Sequence, residues 1–241
     1  MKALILAAGL GTRLAPITDS IPKSLVQVNG KPIIFKQIES LMENGISDIT
    51  VVAGYRADVL IGALGERFGS RVRTVRNNAY AETNNMYSAW LAKDALAGSG
   101  FLMMNADVFF DPSVIRALVD FRAENAIVVD VGRYIEESMK VTQRGGRIAA
   151  ISKSIPQSEA LGCSIDVYKF SPPAGQEFFS ECEQYIKERN EVKKWSEVAL
   201  DGILPRVAFE ACPLRGRWLE IDNHEDLAAA EALFSEPEAR E

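Results

Sequence analysis

Two cations that follow a glycine loop are the residues with the clearest chemical potential in this sequence. A short apolar run over residues 3–7 opens into the small-residue loop A-G-L-G-T-R, which ends at Arg13, and Lys23 follows ten residues later. A strand that opens into such a loop directs several backbone N–H groups to one point, where they bind phosphate. Because the arginine and the lysine add positive charge, this stretch predicts a polyphosphate site.

Two familiar nucleotide-binding loops do not fit this stretch. The dinucleotide fingerprint places a third glycine three residues after Gly11, where this chain has Leu14. A Walker loop carries a lysine directly after its last glycine, and Thr12 stands there instead. A tight turn from strand to helix would account for the glycines alone, but it does not explain Arg13 and Lys23 together.

The elements that must position these cations follow the pattern of a Rossmann-like α/β fold. Apolar strands alternate with amphipathic helices, which predicts a mostly parallel twisted sheet covered by helices on both faces. Ligand sites in such folds lie at the carboxyl ends of the strands. Strands are predicted over residues 3–7, 48–53, 71–76, 100–104, 126–131, 147–152, 163–170 and 218–221. Helices are predicted over residues 32–44, 86–96, 176–189, 195–204 and 224–234, with two more ending near residues 68 and 123.

The second half of the chain has a different pattern of predicted secondary structure. After residue 125, short strands around a hairpin signal, R-G-G over residues 144–146, replace the regular alternation. We find no linker or repeat, so residues 1–234 are interpreted as a single domain with two halves, 1–125 and 126–234. The charged tail, residues 235–241, is expected to be frayed.

The bulk composition excludes several function classes. A net charge of −6 and a pI near 5.1 argue against a nucleic-acid partner. The three cysteines, Cys163, Cys182 and Cys212, have no metal-site spacing and indicate free thiols in a reducing compartment. No apolar run is long enough to span a bilayer and no leader is evident, so we expect a cytoplasmic protein without a membrane partner.

The opening stretch also resembles a known signature. The pattern L-A-A-G-x-G-T-R-L-x-P-x-T, then P-K and G-K-P, lies between residues 6 and 32. It is similar to the signature of the nucleotidyltransferases that make nucleoside-diphosphate sugars and alcohols. The resemblance implies that the backbone of residues 8–12 cradles a triphosphate and that Arg13 holds its β- and γ-phosphates. It also implies that Lys23 lies at the α-phosphate and the incoming phosphate.

A second block, residues 80–88, carries the run Y-x-x-x-N-N-x-Y-S, which resembles the base-reading loop of the phosphocholine cytidylyltransferases. An amide offers a donor and an acceptor to a pyrimidine edge, so Asn84 and Asn85 are candidates to read cytosine. Either asparagine would also suit the cap of the helix that begins near Met86. The residues expected to bind the nucleotide are Leu6, Ala7, Ala8, Gly9, Gly11, Thr12, Arg13, Tyr80, Asn84, Asn85 and Ser88.

The resemblance assigns Mg²⁺ to two aspartates, each at the end of a predicted strand. Asp107 closes the motif N-A-D, and Asp222 stands in W-L-E-I-D, which resembles the family's closing motif. One or two carboxylates, completed by phosphate oxygens and water, form the usual Mg²⁺ ligand set. A capping role is the alternative for each aspartate. Glu220 lies on the same side of its strand as Asp222, so it is a further candidate.

The acceptor is expected to bind in the β-rich half, 126–234. Lys153 follows a strand of the kind G-x-I-x-x-I-x-K, where family members carry a lysine that contacts the acceptor phosphate; a solvated lysine is the alternative. Tyr134 and Trp195 are weaker candidates, because aromatic faces would hold a choline cation. Residues 137–141, E-S-M-K-V, lack the aromatic expected of phosphocholine enzymes and look more like enzymes of inositol phosphate or sugar 1-phosphates.

These patterns predict an Mg²⁺-dependent nucleotidyltransferase with Arg13, Lys23 and Lys153 as catalytic residues. The favoured reaction moves CMP from CTP to a small phosphomonoester, such as phosphocholine or another phospho-alcohol, and releases pyrophosphate. One alternative is a sugar-1-phosphate or inositol-phosphate nucleotidyltransferase that uses CTP, UTP or another triphosphate. The other is a non-catalytic module that binds nucleotides.

Overall fold

The computed structural model describes residues 1–236, and residues 237–241 of the predicted tail lie outside the described part. The strands are β1 (Lys2–Ala7), β2 (Gln27–Val28), β3 (Lys31–Pro32), β4 (Ile49–Ala53), β5 (Val72–Arg76), β6 (Phe101–Asn105), β7 (Val108–Phe110), β8 (Ala126–Val131), β9 (Lys140–Arg144), β10 (Arg147–Ser152), β11 (Gly162–Phe170), β12 (Glu210–Pro213) and β13 (Trp218–Glu220). The helices are α1 (Ile33–Glu43), α2 (Ala57–Phe68), α3 (Asn85–Leu91), α4 (Lys93–Leu96), α5 (Pro112–Asp120), α6 (Pro172–Glu183), α7 (Ser196–Ile203) and α8 (His224–Leu233).

Strand β1 is the centre of the parallel part of the main sheet. It pairs in parallel with β4 on one side and with β6 on the other, and β5 extends the sheet beyond β4 in the same sense. Leu6 in β1 is paired with both Val52 and Asn105, so the carboxyl ends of β1, β4 and β6 lie side by side. The mostly parallel sheet predicted from the strand–helix alternation is confirmed.

Both faces of this sheet are covered around β1, β4 and β6, which explains why these three strands are mostly apolar. Along β1, Ala3 and Ile5 pack into a core shared with α1, α2 and α5. Leu4 and Leu6 point to the opposite face, into a core shared with α3, α6 and α7. The loop that follows β1 lies outside both cores, at the carboxyl edge of the sheet.

The second half of the chain extends the same sheet with antiparallel strands. β11 pairs antiparallel with β6, β8 and β9, and the β9–β10 hairpin completes this edge. The hairpin turns at Gly145 and Gly146, which both have positive φ, as the R-G-G signal predicts. β12 pairs in parallel with β8 and was not predicted. The β-rich second half is therefore confirmed as an elaboration of the sheet.

Several predicted elements have different bounds. The strand predicted over residues 218–221 does not join the main sheet; β13 pairs with β7 in a separate two-stranded ribbon. The helix predicted over residues 86–96 is broken at Ala92 into α3 and α4. The helix predicted from residue 176 begins at Pro172, because Ser171 caps it there.

From Met1 to Glu236, none of the helices combines the length and apolar character that a bilayer crossing requires.

Candidate active site

The glycine loop after β1 is shaped by the approach of the Lys23 segment. Gly11 has a φ of 64°, and a Cβ atom built on it would lie 2.8 Å from Cβ of Lys23. Thr18 fixes the loop from the side by donating a hydrogen bond from Oγ1 to the carbonyl of Gly11 (2.9 Å). Glycine is therefore needed at position 11 both for the left-handed backbone and for the close packing.

The same loop is closed from the β4 side by a second glycine. A Cβ atom on Gly54 would lie 2.6 Å from the carbonyl oxygen of Ala8 and 2.6 Å from Cβ of Tyr80. Tyr55 donates its backbone N–H to that same Ala8 carbonyl at 3.2 Å. The loop is thus held against the residues that follow β4, and Tyr80 packs against the same glycine.

The predicted cations and aspartates meet in one ion-paired cluster. Lys23 Nζ lies 2.8 Å from Asp107 Oδ2 and 2.6 Å from Asp222 Oδ1. Arg13 Nη2 lies 2.7 Å from the other oxygen of Asp222. Burial alone would lower the pKa of Lys23, but the two aspartates raise it above its ordinary value. Burial would raise the pKa of Asp222, but Lys23 and Arg13 lower it.

The two aspartates are brought together by backbone structure. Asp107 lies in the turn between β6 and β7, which buried Gln37 holds by donating to the carbonyls of Asn105 and Val108, both at 2.8 Å. The β7–β13 ribbon then places Asp222 beside this turn, and the N–H of Ile221 donates to the carbonyl of Asp107 at 2.9 Å. Residues from the two halves of the chain thus share one site.

Helix α8 fixes Asp222 from its other side. Asn223 caps the helix, and its side chain accepts hydrogen bonds from the N–H groups of Glu225 and Asp226. Asp226 in turn accepts from the N–H of Asp222 at 2.9 Å and from that of Asn223 at 3.1 Å. This capping box leaves the Asp222 carboxylate free to face Lys23.

Glu220 completes a group of three carboxylates suited to a divalent cation. One oxygen from each of Asp107, Glu220 and Asp222 lies within 4.8 Å of the others. Burial, with the charges of Asp107 and Asp222, raises the pKa of Glu220 to about 7. Oδ1 of Asp107 is buried without a hydrogen-bond partner, and a buried orphan acceptor needs a ligand. This donor set fits the oxygen ligands of Mg²⁺.

A cavity of about 250 Å³ extends from the ion-paired cluster. Twelve of its lining residues were predicted as site residues: Leu6, Ala8, Gly9, Arg13, Tyr80, Asn84, Asn85, Ser88, Asp107, Lys153, Trp195 and Asp222. Ala7 and Lys23 line a smaller cavity next to it. Gly11 and Thr12 line neither of these two cavities.

The two asparagines have different structural tasks. Asn84 caps α3, since its side chain accepts from the N–H of Asn85 at 2.8 Å. The Asn85 side chain accepts from the N–H of Ser196 at 2.7 Å and donates to Oδ1 of Asn105 at 3.3 Å. The capping alternative is therefore confirmed for Asn84. Both side chains also line the cavity, so base reading by either residue stays a prediction.

The acceptor candidates separate into two groups. Lys153 and Trp195 both line the cavity, with Lys153 Nζ 5.0 Å from the centre of the Trp195 ring. Tyr134 does not line it: its ring packs over Nζ of Lys140 at 5.0 Å. Contact between Tyr134 and the acceptor stays a prediction, and this cavity lining does not include it.

One acidic residue of the cavity wall, Asp166, was missed in the sequence. Asp166 interrupts the apolar strand β11 with a φ of 58°, where the pairing register shifts. The hydroxyl of Tyr168 lies 2.8 Å from Asp166 Oδ1 and 3.1 Å from Oε1 of Glu197, which is 2% exposed. Burial and the neighbouring carboxylate raise the pKa of Asp166 well above its ordinary value. An aspartate inside an apolar strand is the signal that would have found it.

Comparison with known proteins identifies the family. The model of the family described as "Nucleotidyl transferase" matches residues 2–146. This match covers more than half of the chain, which therefore belongs to the nucleotidyl transferase family. The family predicted from the glycine-loop signature is confirmed.

Several of the proteins that this chain resembles are cytidylyltransferases. The choline-phosphate cytidylyltransferase of Streptococcus pneumoniae is 49% identical over 116 residues, which cover 48% of this chain and 48% of that protein. The match thus spans about half the length of that relative. The CTP:phosphoglutamine cytidylyltransferase of Campylobacter jejuni is 28% identical over 94% of this chain and 98% of that protein. A solved structure of the CTP:phosphocholine cytidylyltransferase from Streptococcus pneumoniae has a TM-score of 0.82 and 30% identity, covering 96% of this chain and 97% of that one.

Proposed function

We propose that this protein is a cytidylyltransferase that moves CMP from CTP to a small phosphorylated acceptor and releases pyrophosphate. The observation that carries the proposal is the cluster of Lys23, Arg13, Asp107 and Asp222 at the end of a polar cavity. The relatives support the choice of nucleotide, since two of them are described as using CTP, with phosphocholine or phosphoglutamine as the acceptor.

The nucleotide binds with its phosphates on the glycine loop. The backbone N–H groups after β1 face the carboxyl edge of the sheet, where they donate hydrogen bonds to phosphate oxygens. Arg13, which is 66% exposed along its side chain, exchanges Asp222 for the β- and γ-phosphates. The base lies at the other side of the loop, against Tyr80 and within reach of the Asn85 amide.

The transfer step is an in-line displacement at the α-phosphorus. An oxygen of the acceptor phosphate forms the new bond to the α-phosphorus as the bond to the β-phosphate oxygen breaks, and pyrophosphate leaves with that electron pair. A phosphomonoester with a second pKa of about 6 is already mostly dianionic at neutral pH, so it needs no general base. Catalysis therefore consists of bringing two anions together, for which Lys23 supplies charge at the α-phosphate.

A divalent cation fits the carboxylates of Asp107, Asp222 and Glu220, and we assign Mg²⁺ to them. When bound, it would neutralise charge on phosphate oxygens. Lys153 lines the same cavity as these carboxylates and holds the acceptor phosphate in place. Trp195 covers the same region of the wall, with its ring against the Lys153 ammonium.

A pyrophosphate-release assay with four nucleoside triphosphates and a panel of phosphomonoesters tests this proposal. The panel contains phosphocholine, phosphoethanolamine, inositol 1-phosphate and glucose 1-phosphate. We expect release with CTP and an alcohol phosphate, and a loss of at least about a hundredfold in turnover for Asp107→Asn. Asp94→Asn on the exposed face of α4 is the matched control. Release with sugar 1-phosphates alone, or wild-type turnover in Asp107→Asn, would contradict the proposal.

A further inference from the structure

We propose that Lys140 is a positioning residue for the acceptor end of the cavity. The inference rests on the function proposed above, because it concerns how the acceptor is held. The side chain of Lys140 is 0% exposed, and within residues 1–236 no carboxylate forms an ion pair with it. Burying an ammonium group is costly unless hydrogen bonds satisfy it, so the groups that receive its protons show what it holds together.

Those groups belong to two separate segments. Lys140 Nζ donates one hydrogen bond to the carbonyl of Glu136 at 2.6 Å and another to the carbonyl of Lys153. The Tyr134 ring covers the same ammonium at 5.0 Å from its centre. One buried cation therefore joins the segment that precedes β9 to the residue that follows β10.

The first of these segments, residues 132–139, forms one wall of the cavity; we call it the acceptor loop. Its residues Ser138 and Met139 line the cavity directly. β11 anchors the loop at two further points: Cys163 Sγ lies 3.2 Å from the N–H of Ile135, and the N–H of Ser164 donates to the carbonyl of Met139 at 2.8 Å. The Glu136 carbonyl lies next to the first of these anchors in the chain and is held by Lys140.

The second segment supplies the cation proposed to bind the acceptor phosphate. Lys140 and Ser152 are paired across the β9–β10 hairpin, so Lys153 is the first residue beyond the paired strand. Its carbonyl is tied inward by Lys140, which leaves its side chain turned toward the cavity and Trp195. The backbone bond thus fixes the starting point of the Lys153 side chain.

The two bonds make Lys140 a brace between the acceptor loop and Lys153. Lys140 itself does not line the cavity, so it acts on the acceptor only through these neighbours. Removing the ammonium would leave the carbonyls of Glu136 and Lys153 without their hydrogen-bond donor. The acceptor loop and Lys153 would then both lose their fixed positions. Within residues 1–236, the hydrogen bonds of the Lys140 ammonium go to Glu136 and Lys153 and not to the glycine loop or the Asn84–Asn85 segment, which are proposed to bind the nucleotide.

The test is Lys140→Met, which keeps the length of the side chain and removes its charge. Steady-state kinetics are measured with CTP and the best acceptor from the panel. We expect the KM for the acceptor to rise at least about tenfold, as for other small misplacements of binding groups, with the KM for CTP within about twofold of wild type. Lys169→Met is the matched control: Lys169 is also buried, and its ammonium donates to the carbonyls of Leu118, Val119 and Phe121, away from the cavity.

A double-mutant cycle separates the brace from a general loss of stability. In a Lys153→Ala background, Lys140→Met is expected to change the acceptor KM by less than half of its effect in the wild type on a logarithmic scale. If Lys140→Met does not fold, Lys140→Arg is measured in the same way, and the larger guanidinium is expected to raise the acceptor KM alone.

Three outcomes would overturn the inference: an unchanged acceptor KM, equal rises in both KM values, or the same KM shift in Lys169→Met. These three outcomes apply when the wild-type protein releases pyrophosphate with CTP and an acceptor. A wild type that releases no pyrophosphate with any substrate pair would instead refute the proposed function, and the role of Lys140 with it.

Discussion

The ammonium nitrogen of Lys23 lies 2.6 Å from Oδ1 of Asp222, and the same nitrogen lies 2.8 Å from Oδ2 of Asp107. Both oxygens belong to carboxylates of the set Asp107, Glu220 and Asp222, which suits a divalent cation. The lysine and a metal ion therefore compete for the same ligands when no nucleotide is bound. Phosphate oxygens offer the lysine another partner, so we expect the metal to enter together with the triphosphate.

Lys23→Ala is expected to have opposite effects on metal binding and on catalysis. Without the ammonium, the carboxylates lose their competitor, and the affinity of the nucleotide-free protein for Mn²⁺ should rise by about tenfold, equivalent to 1.4 kcal/mol. Turnover should fall at least about a hundredfold, because charge at the α-phosphate is no longer neutralised. Isothermal titration and the pyrophosphate assay measure the two effects. Lys31→Ala, which removes a surface pair with Glu39, serves as control, and weaker Mn²⁺ binding by Lys23→Ala would contradict the competition.

The pKa of about 7 for Glu220 predicts a pH-dependent metal affinity. A carboxyl group must be deprotonated to bind a cation, so Mn²⁺ affinity should increase as the pH rises from 6 to 8. Glu220→Gln should remove most of this increase and weaken Mn²⁺ binding at pH 8 by about tenfold, equivalent to 1.4 kcal/mol. Titration calorimetry at three pH values measures both. An unchanged pH profile in Glu220→Gln would show that Glu220 takes no part in binding the metal.

Glu197 should make the protein less stable at high pH. Burial raises the pKa of Glu197 above its ordinary value of 4.5, so between these two pKa values the folded state binds more protons than the unfolded state. Stability then falls as the pH rises through that window. Glu197→Gln should raise Tm at pH 8 by about 2–4 °C, and by less at pH 5. Exposed Glu159→Gln is the control. A lower Tm for Glu197→Gln at pH 8 would contradict this prediction.

Gly11→Ala tests the packing of the glycine loop on Lys23. The new Cβ would combine a positive φ with an approach of 2.8 Å to Lys23 Cβ. Gly146→Ala is the matched control, because Gly146 also has a positive φ but has open space around its Cβ position. We expect Gly11→Ala to lower the free energy of unfolding by at least about 1 kcal/mol more than Gly146→Ala. Chemical denaturation measures both, and equal losses would show that the contact with Lys23 is not strained.

The parallel sheet was predictable because β1, β4 and β6 are buried on both faces and therefore appear in the sequence as mostly apolar runs. The glycine loop and the cations of its signature lie close together in the sequence, so their position after β1 could be predicted from the sequence alone. The ribbon of β7 and β13 was not predictable, since three-residue strands carry no periodicity. This ribbon brings Asp107 and Asp222 together. The prediction that the two aspartates share a site rested on the family resemblance and not on their spacing in the sequence.

The acceptor end was the least predictable part of the site. Its wall is built by side chains that converge from β11 and α7, such as Asp166 and Glu197. No short motif links these elements. Tyr134 shows the same limit, because the order of residues in a loop does not tell which ring faces the cavity and which covers a buried cation.

The β7–β13 ribbon also has a consequence for the newly made chain. By the time the ribosome has added Asp107, every contact proposed for the triphosphate on the glycine loop has been synthesised. The partner carboxylate, Asp222, follows 115 residues later, and the hydrogen bond from the N–H of Ile221 to the Asp107 carbonyl must then form over a long chain separation. The carboxylate pair is therefore complete only after β13 has paired with β7, and transfer would begin only at that stage.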